Sequence, residues 1–129
     1  MNGKLVVDAN AFIAYRLGNP AAVRLINAAD VLFLPVVVYG ELLYGAANSS
    51  QSKNNLDAVE LFAAHSILVP VDEQVARHYA EIRIALRKSG KPIPENDLWI
   101  AAICKKLDLP LLTQDEHFNF VMGLRVQPW

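Results

Sequence analysis

Five short apolar runs punctuate the chain: KLVV (4–7), VLFLP (31–35), ILVPV (67–71), LPLLT (109–113) and a weaker LRVQ (124–127). Most are continuous rather than alternating, the pattern of strands covered on both faces. The stretches between them carry helical periodicity. AFIAYRL follows Asp8, PAAVRLINAAD opens with Pro20 in a first-turn position, and VVYGELLYGAAN and NNLDAVELFAAH follow one another. DEQVARHYAEIRIALRKSG starts on acids and stops at Gly90, and a last helix begins near Glu95 to Asp97 and ends at KKLDLP. Strands alternating with helices need crossover connections, which join parallel neighbours. The expected fold is therefore α/β, a three-layer α/β/α sandwich with a mainly parallel four- to five-stranded sheet. A length of 129 residues suits one core of ordinary size. One domain over 1–129 is expected, with NSSQSKNN (48–55) as a helix-to-helix loop inside it.

Composition narrows the function by exclusion. Hydrophobic residues make up 53% of the chain, yet no uncharged apolar run reaches the roughly 18 to 20 residues of a membrane span. The surplus apolar surface is expected to meet a partner or a second copy. MNGKLVVDAN has no long apolar segment followed by a small-residue cleavage site, so no secretory signal is expected. The single cysteine, Cys104, sits in a helical pattern and suits a reducing, cytoplasmic location. Twelve Lys and Arg against 13 Asp and Glu leave a net charge of -1, so any attraction to nucleic acid must come from a local patch.

Four acids stand in places where acids are awkward. Asp8 and Asp115 each follow a strand, the first after LVV and the second after LPLLTQ. An isolated Asp there is ordinarily a helix cap or an Asx-turn. Glu41, in VYGELLYG, lies three residues from Val38, beside Leu42 and four from Gly45, within the apolar stripe of its helix. A boundary Glu that bonds Tyr39 or Tyr44, or escapes to solvent, is the plain alternative. Asp97 in IPENDLWIAAIC shares a face with Ile100, Ala101 and Cys104. Its plain alternative is a first-turn acid complementing the helix dipole, with Glu95 or Asn96 as the cap.

One convergent site accounts for all four acids more economically than four separate accidents. In open parallel sheets the strand ends at the reversal of strand order are where ligands gather. Four clustered carboxylates repel and resist ionising without a counter-charge. A hard divalent cation with oxygen ligands resolves this, and Mg²⁺ takes one or two carboxylates plus water and phosphate oxygens. Zinc fits poorly, because His65, His78 and His117 show no paired spacing and one cysteine builds no thiolate site. Such a centre suits phosphodiester hydrolysis without a protein nucleophile. No P-loop, Gly-rich dinucleotide fingerprint or nucleophile–base pair is evident.

These residues give the chain its resemblance to the PIN-domain nucleases, and within them to the VapC-like toxins of prokaryotic toxin–antitoxin pairs. The resemblance runs over essentially the whole chain, through VVDANAFIA, YGELLYG, IPENDLWIAAIC, LLTQDEHF and GLRVQPW in that order. It implies a quartet of acids that binds Mg²⁺ or Mn²⁺ and cleaves RNA, matched here by Asp8, Glu41, Asp97 and Asp115. Asn10 and Thr113 match polar positions that support the carboxylates. The sequence departs from the pattern at Ala9, where many members carry a Ser or Thr hydroxyl. The resemblance further implies a homodimer and a cognate antitoxin protein whose tail lies in an apolar groove near the acids, with NPAAVRLINAA and YGELLYGAAN as candidate walls.

Arg83, Arg87, Lys88 and Lys91 precede the Asp97 motif, and Arg83 and Arg87, four apart, share a helix face. Such a run is ordinarily a solvated face; bordering the acids, Arg83 and Arg87 could hold an RNA backbone. Tyr15, Tyr44, Trp99 and Phe118 are candidate base-stacking platforms, although most of the aromatics, Trp99 included, are expected in the core. Trp129 is expected against the sheet edge. Two other readings stay open: a non-catalytic RNA-binding or scaffolding domain of the same fold, and a phosphotransferase with Asp8 as nucleophile. The second is weakened because Asn10 stands where a general acid is sought and Glu41 would have no task.

Overall fold

The structure, a computed structural model, describes residues 3–129; residues 1 and 2 of the expected domain span lie outside the described residues. Strands β1 (Lys4–Val7), β2 (Val31–Pro35), β3 (Ile67–Val69), β4 (Leu111–Leu112) and β5 (Val126–Gln127) form one sheet in the order β3-β2-β1-β4-β5. Every pairing is parallel. Helices α1 (Ala9–Arg16), α2 (Pro20–Ala28), α3 (Val36–Ala47), α4 (Ser52–Ala64), α5 (Glu73–Ser89) and α6 (Glu95–Leu107) flank it. This is the α/β/α arrangement that the alternating runs predict, with five strands. Among the described residues no helix is long and apolar enough to cross a membrane.

Local chemistry sets the helix ends. The Asn19 side chain accepts from the Ala21 and Ala22 amides ahead of α2, and Asp72 accepts from the Val75 amide ahead of α5. Gly90 closes α5 in the left-handed conformation, where a residue without Cβ carries no steric penalty. Asp108 adopts the same conformation at the end of α6, with φ of 53°. Short polar Asp tolerates it better than most side chains.

Val6, Val7, Leu34, Leu111 and Leu112 are completely buried, with Ile100 and Ile103 of α6 and Phe118 packed among them. Truncating one of these leucines to Ala would cost about 2–5 kcal/mol.

Four details differ from the expectations. The run ILVPV yields only the three-residue β3, because Pro70 has no amide to continue the ladder. β3 is also an edge strand with Ile67 and Leu68 exposed, so its continuous apolar run does not mean cover on both faces. LPLLT yields the two-residue β4, entered through Pro110. The polar stretch 48–55 is only half loop, since α4 already begins at Ser52.

Sheet topology positions everything that follows. From β1 the chain builds outward to β2 and β3 on one side, then crosses to β4 and β5 on the other. The order therefore reverses between β1 and β4, and a crevice opens beyond their carboxyl ends.

Candidate active site

Asp8 and Thr113 leave β1 and β4 side by side, following the paired residues Val7 and Leu112. Asp8 is only 6% exposed. One of its oxygens accepts from the Ala9 amide at 2.8 Å, which makes it the cap of α1. The other accepts from the Thr113 hydroxyl at 2.7 Å. That hydroxyl has one proton, given to Asp8, and two lone pairs. These take the Asp115 amide at 3.0 Å and the Asn10 side-chain amide at 3.3 Å. Thr113 is fully buried, so its satisfied hydroxyl fixes Asp8, Asn10 and Asp115 relative to one another. Burial raises the Asp8 pKa; the Thr113 and Ala9 hydrogen bonds lower it, and the Asp115 charge raises it.

Asp97 is not a cap. Helix α6 starts after Pro94 with no side-chain cap, so neither Glu95 nor Asn96 takes that role. Asp97 sits in the first turn on the face of Ile100, Ala101 and Cys104, all essentially fully buried, and its side chain is 14% exposed. Its carboxyl is pushed up to about 6 by burial first, then by the charges of Asp115 and Asp8, against the lowering effect of His117.

Asp115 caps a short 3₁₀ turn (Glu116–Phe120) by accepting from the His117 amide at 3.0 Å. The turn brings the His117 ring back over the acids, with Nδ1 3.0 Å from Asp115 Oδ1 and 3.4 Å from Asp97 Oδ2. Ligand atoms of Asp97, Asp115 and His117 all lie within 4.8 Å of one another. Sequence spacing gave no reason to choose His117 over His65 or His78. The usable signal was local, since Asp115 and His117 are two apart at a tight turn, with Phe118 as a buried anchor behind them.

Glu41 differs from its expectation. It is exposed, on the rim of α3 rather than within the buried stripe of Val38, Leu42 and Ala46. Helical spacing assigned the stripe one position too wide. It still faces the site: partial burial raises its pKa first, the Asp8 charge adds to that, and the Asn96 side chain offsets part.

Asp97, Asp115 and His117 therefore form the tight group, Asp8 is tied to it through Thr113 and by charge, and Glu41 stands at the edge. Arg83 and Arg87 do not enter this group. Both are exposed, and with Pro92, Ile93, Glu95 and Leu98 they line a separate groove of about 330 Å³ beside the start of α6. Arg83 donates to the Tyr79 hydroxyl at 2.6 Å and pairs with Glu95 at 3.5 Å, while Tyr79 stacks on Trp99 at 3.8 Å. Phe118 is wholly buried, which removes it as a stacking platform, and Trp99 is half-buried against Tyr79. Trp129, also half-buried, packs against the core.

Among the described residues no Lys or Arg pairs with any of the four acids. Burial, and then the charges of neighbouring acids, raise the pKa values of Asp8, Glu41 and Asp97 instead, as in a site short of positive charge. A donor set rich in carboxylate oxygen fits a hard divalent cation such as Mg²⁺ or Mn²⁺. The family model for the PIN domain matches residues 5–122. The chain belongs to the PIN-domain family.

This PIN domain is 38% identical over 121 residues to ribonuclease VapC5 of Mycobacterium tuberculosis, covering 92% of this chain and 87% of that protein. It is 30% identical over 130 residues to the tRNA(fMet)-specific endonuclease VapC of Shigella flexneri, covering 98% of each. Its structure resembles that of the DNA-bound VapBC of Salmonella typhimurium, with a TM-score of 0.88, 27% identity, and coverage of 100% of this chain and 99% of that one.

Proposed function

We propose that this PIN domain is a metal-dependent endoribonuclease that hydrolyses RNA phosphodiester bonds and acts as the toxin of a VapBC-type pair. The observation that carries this is a cluster of acids with no Lys or Arg partner among the described residues, at the reversal point of a parallel sheet. The VapC relatives, named ribonucleases, support it.

Asp97 and Asp115 would hold the cation, with Asp8 adding negative charge to the pocket and Glu41 reaching it from the rim. A bound Mg²⁺ or Mn²⁺ supplies charge neutralisation for the phosphodiester and a lowered pKa for water. Thr113 and Asn10 keep Asp8 from rotating. Glu41, exposed and with a raised pKa, is placed to exchange protons with substrate on the open side. Arg83 and Arg87, beside the start of α6, hold the RNA backbone.

An apolar groove of about 330 Å³ between α1, α3 and α4, lined by Phe12, Ile13, Leu17, Leu42 and Val59, ends at Glu41. Leu17 and Ile13 are 82% and 51% exposed there. This groove is where the antitoxin segment lies; its walls are α1, α3 and α4 rather than the expected α2. The protein works in the cytoplasm as a homodimer, each copy one domain.

The test is cleavage of labelled single-stranded RNA with Mg²⁺ or Mn²⁺ and then EDTA, native protein beside Asp97→Asn. Metal-dependent cutting by the native chain, lost in a folded Asp97→Asn variant, is the expected result. Equal cutting by both would remove Asp97 and the acid cluster from the reaction.

A further inference from the structure

His117 is the one member of the tight group that is not a carboxylate, and the fold has no packing reason to hold it there. Its side chain is 48% exposed, whereas the next residue, Phe118, is fully buried and anchors the turn. Asp115 fixes the turn from the other side by accepting the His117 amide. The ring is thus delivered to the acids by two backbone restraints rather than by burial of its own surface.

The distances, which in the metal-free protein are those of a hydrogen bond and an ion pair, also match neighbouring ligand positions around a cation. Neighbouring positions of an octahedral shell with metal–ligand bonds near 2.1 Å stand about 3.0 Å apart. His117 Nδ1 lies 3.0 Å from Asp115 Oδ1 and 3.4 Å from Asp97 Oδ2. A cation seated between those two oxygens must therefore either take the ring nitrogen as a ligand or push the ring aside.

We propose that His117 Nδ1 is a ligand of the centre and biases it toward first-row transition ions, Co²⁺ and Mn²⁺, over Mg²⁺. The inference rests on the metal-centre reading above and adds the ion preference to it. Imidazole nitrogen is a poor match for Mg²⁺, which favours an all-oxygen shell, and a better one for Co²⁺ and, more weakly, Mn²⁺. Carboxylates alone would discriminate far less.

Titration calorimetry with Mg²⁺, Mn²⁺ and Co²⁺, each alone and without RNA, tests this on the native protein, His117→Asn, His117→Ala and Asp97→Asn. His117→Asn offers an oxygen near the Nδ1 position. It is expected to weaken Co²⁺ by about tenfold or more, Mg²⁺ by less than about threefold, and to alter the visible spectrum of bound Co²⁺. His117→Ala is expected to lose Co²⁺ affinity at least as far. Equal weakening of all three ions, an unchanged Co²⁺ spectrum, or tighter binding by His117→Ala would overturn the proposal; the last would make the ring a competitor. Asp97→Asn separates the two levels. If it loses all three ions while the His117 variants keep the native preference, only the ligand role of His117 falls. If it binds all three as the native chain does, the metal-centre reading falls with it.

Discussion

Asp72 and Asp97 open two helices packed side by side, α5 and α6, and the fold treats them in opposite ways. Asp72 caps α5 through the Val75 amide and pairs with Lys106 from the far end of α6. Its pKa is lowered, chiefly by the Lys106 hydrogen bond and then by the Val75 amide. Asp97 caps nothing and faces two other acids, and burial and those charges outweigh the nearby His117 ring and raise its carboxyl to about 6. The helix dipole favours a carboxylate at both places, so the dipole does not decide the outcome. What decides it is the neighbours: one acid meets a lysine and an amide, while the other meets two acids and only a partly exposed histidine.

That contrast can be broken by experiment. The largest effect is on cleavage: Asp97→Asn is expected to lower metal-dependent RNA hydrolysis on the order of a hundredfold, while Asp72→Asn cuts like the native chain. A loss shared by both variants would erase the distinction. Next comes ligand-linked stability. A cation at a hundred times its Kd should stabilise the native protein by about 2.7 kcal/mol, read as a higher Tm, and should leave Asp97→Asn unmoved.

Without metal the sign reverses. A carboxyl at about 6 in the folded state, against an ordinary 3.8, holds its proton longer folded than unfolded. Stability therefore falls as pH rises from near 3.8 to about 6 and is level above. Asp97→Asn should be more stable than the metal-free native chain at pH 7.5 by about 1 kcal/mol, after solvent screening at the open face is allowed for. Denaturation at pH 7.5 and at pH 4 checks this, the gain vanishing at the lower pH. The smallest effect belongs to Asp72→Asn. Its lowered pKa means that its contribution is present at neutral pH and lost as pH falls through the folded value. The variant should melt below the native chain near pH 7 and approach it in strong acid.

Much of this architecture could be read from the chain. β1 and β2 match their apolar runs, because both are deep in the sheet and the runs are bounded by clear punctuation. β3 came out shorter because Pro70 stops the ladder without interrupting hydrophobicity, and β4 is a two-residue strand that starts just after Pro110. The inward face of Asp97 was legible because its helix stripe is unambiguous, with three buried residues aligned behind it. Glu41 was placed too deep, because a helix that is apolar nearly all round has no sharp edge to its stripe. His117 was missed because its proximity to Asp97 depends on how a 3₁₀ turn meets α6, a tertiary fact with no periodic trace.

The Thr113 hydroxyl joins two parts of the chain 105 residues apart. Of the two groups that orient Asp8, the Ala9 amide is its neighbour in the chain, whereas the Thr113 hydroxyl arrives 105 residues later. Without the chain from Leu111 onward, β1 keeps β2 on one side but has no β4 on the other, Asp8 has no Thr113 hydroxyl, and Asp115 and His117 are missing. The pocket of acids is therefore completed only after the chain as far as His117 has been made and β4 has paired with β1.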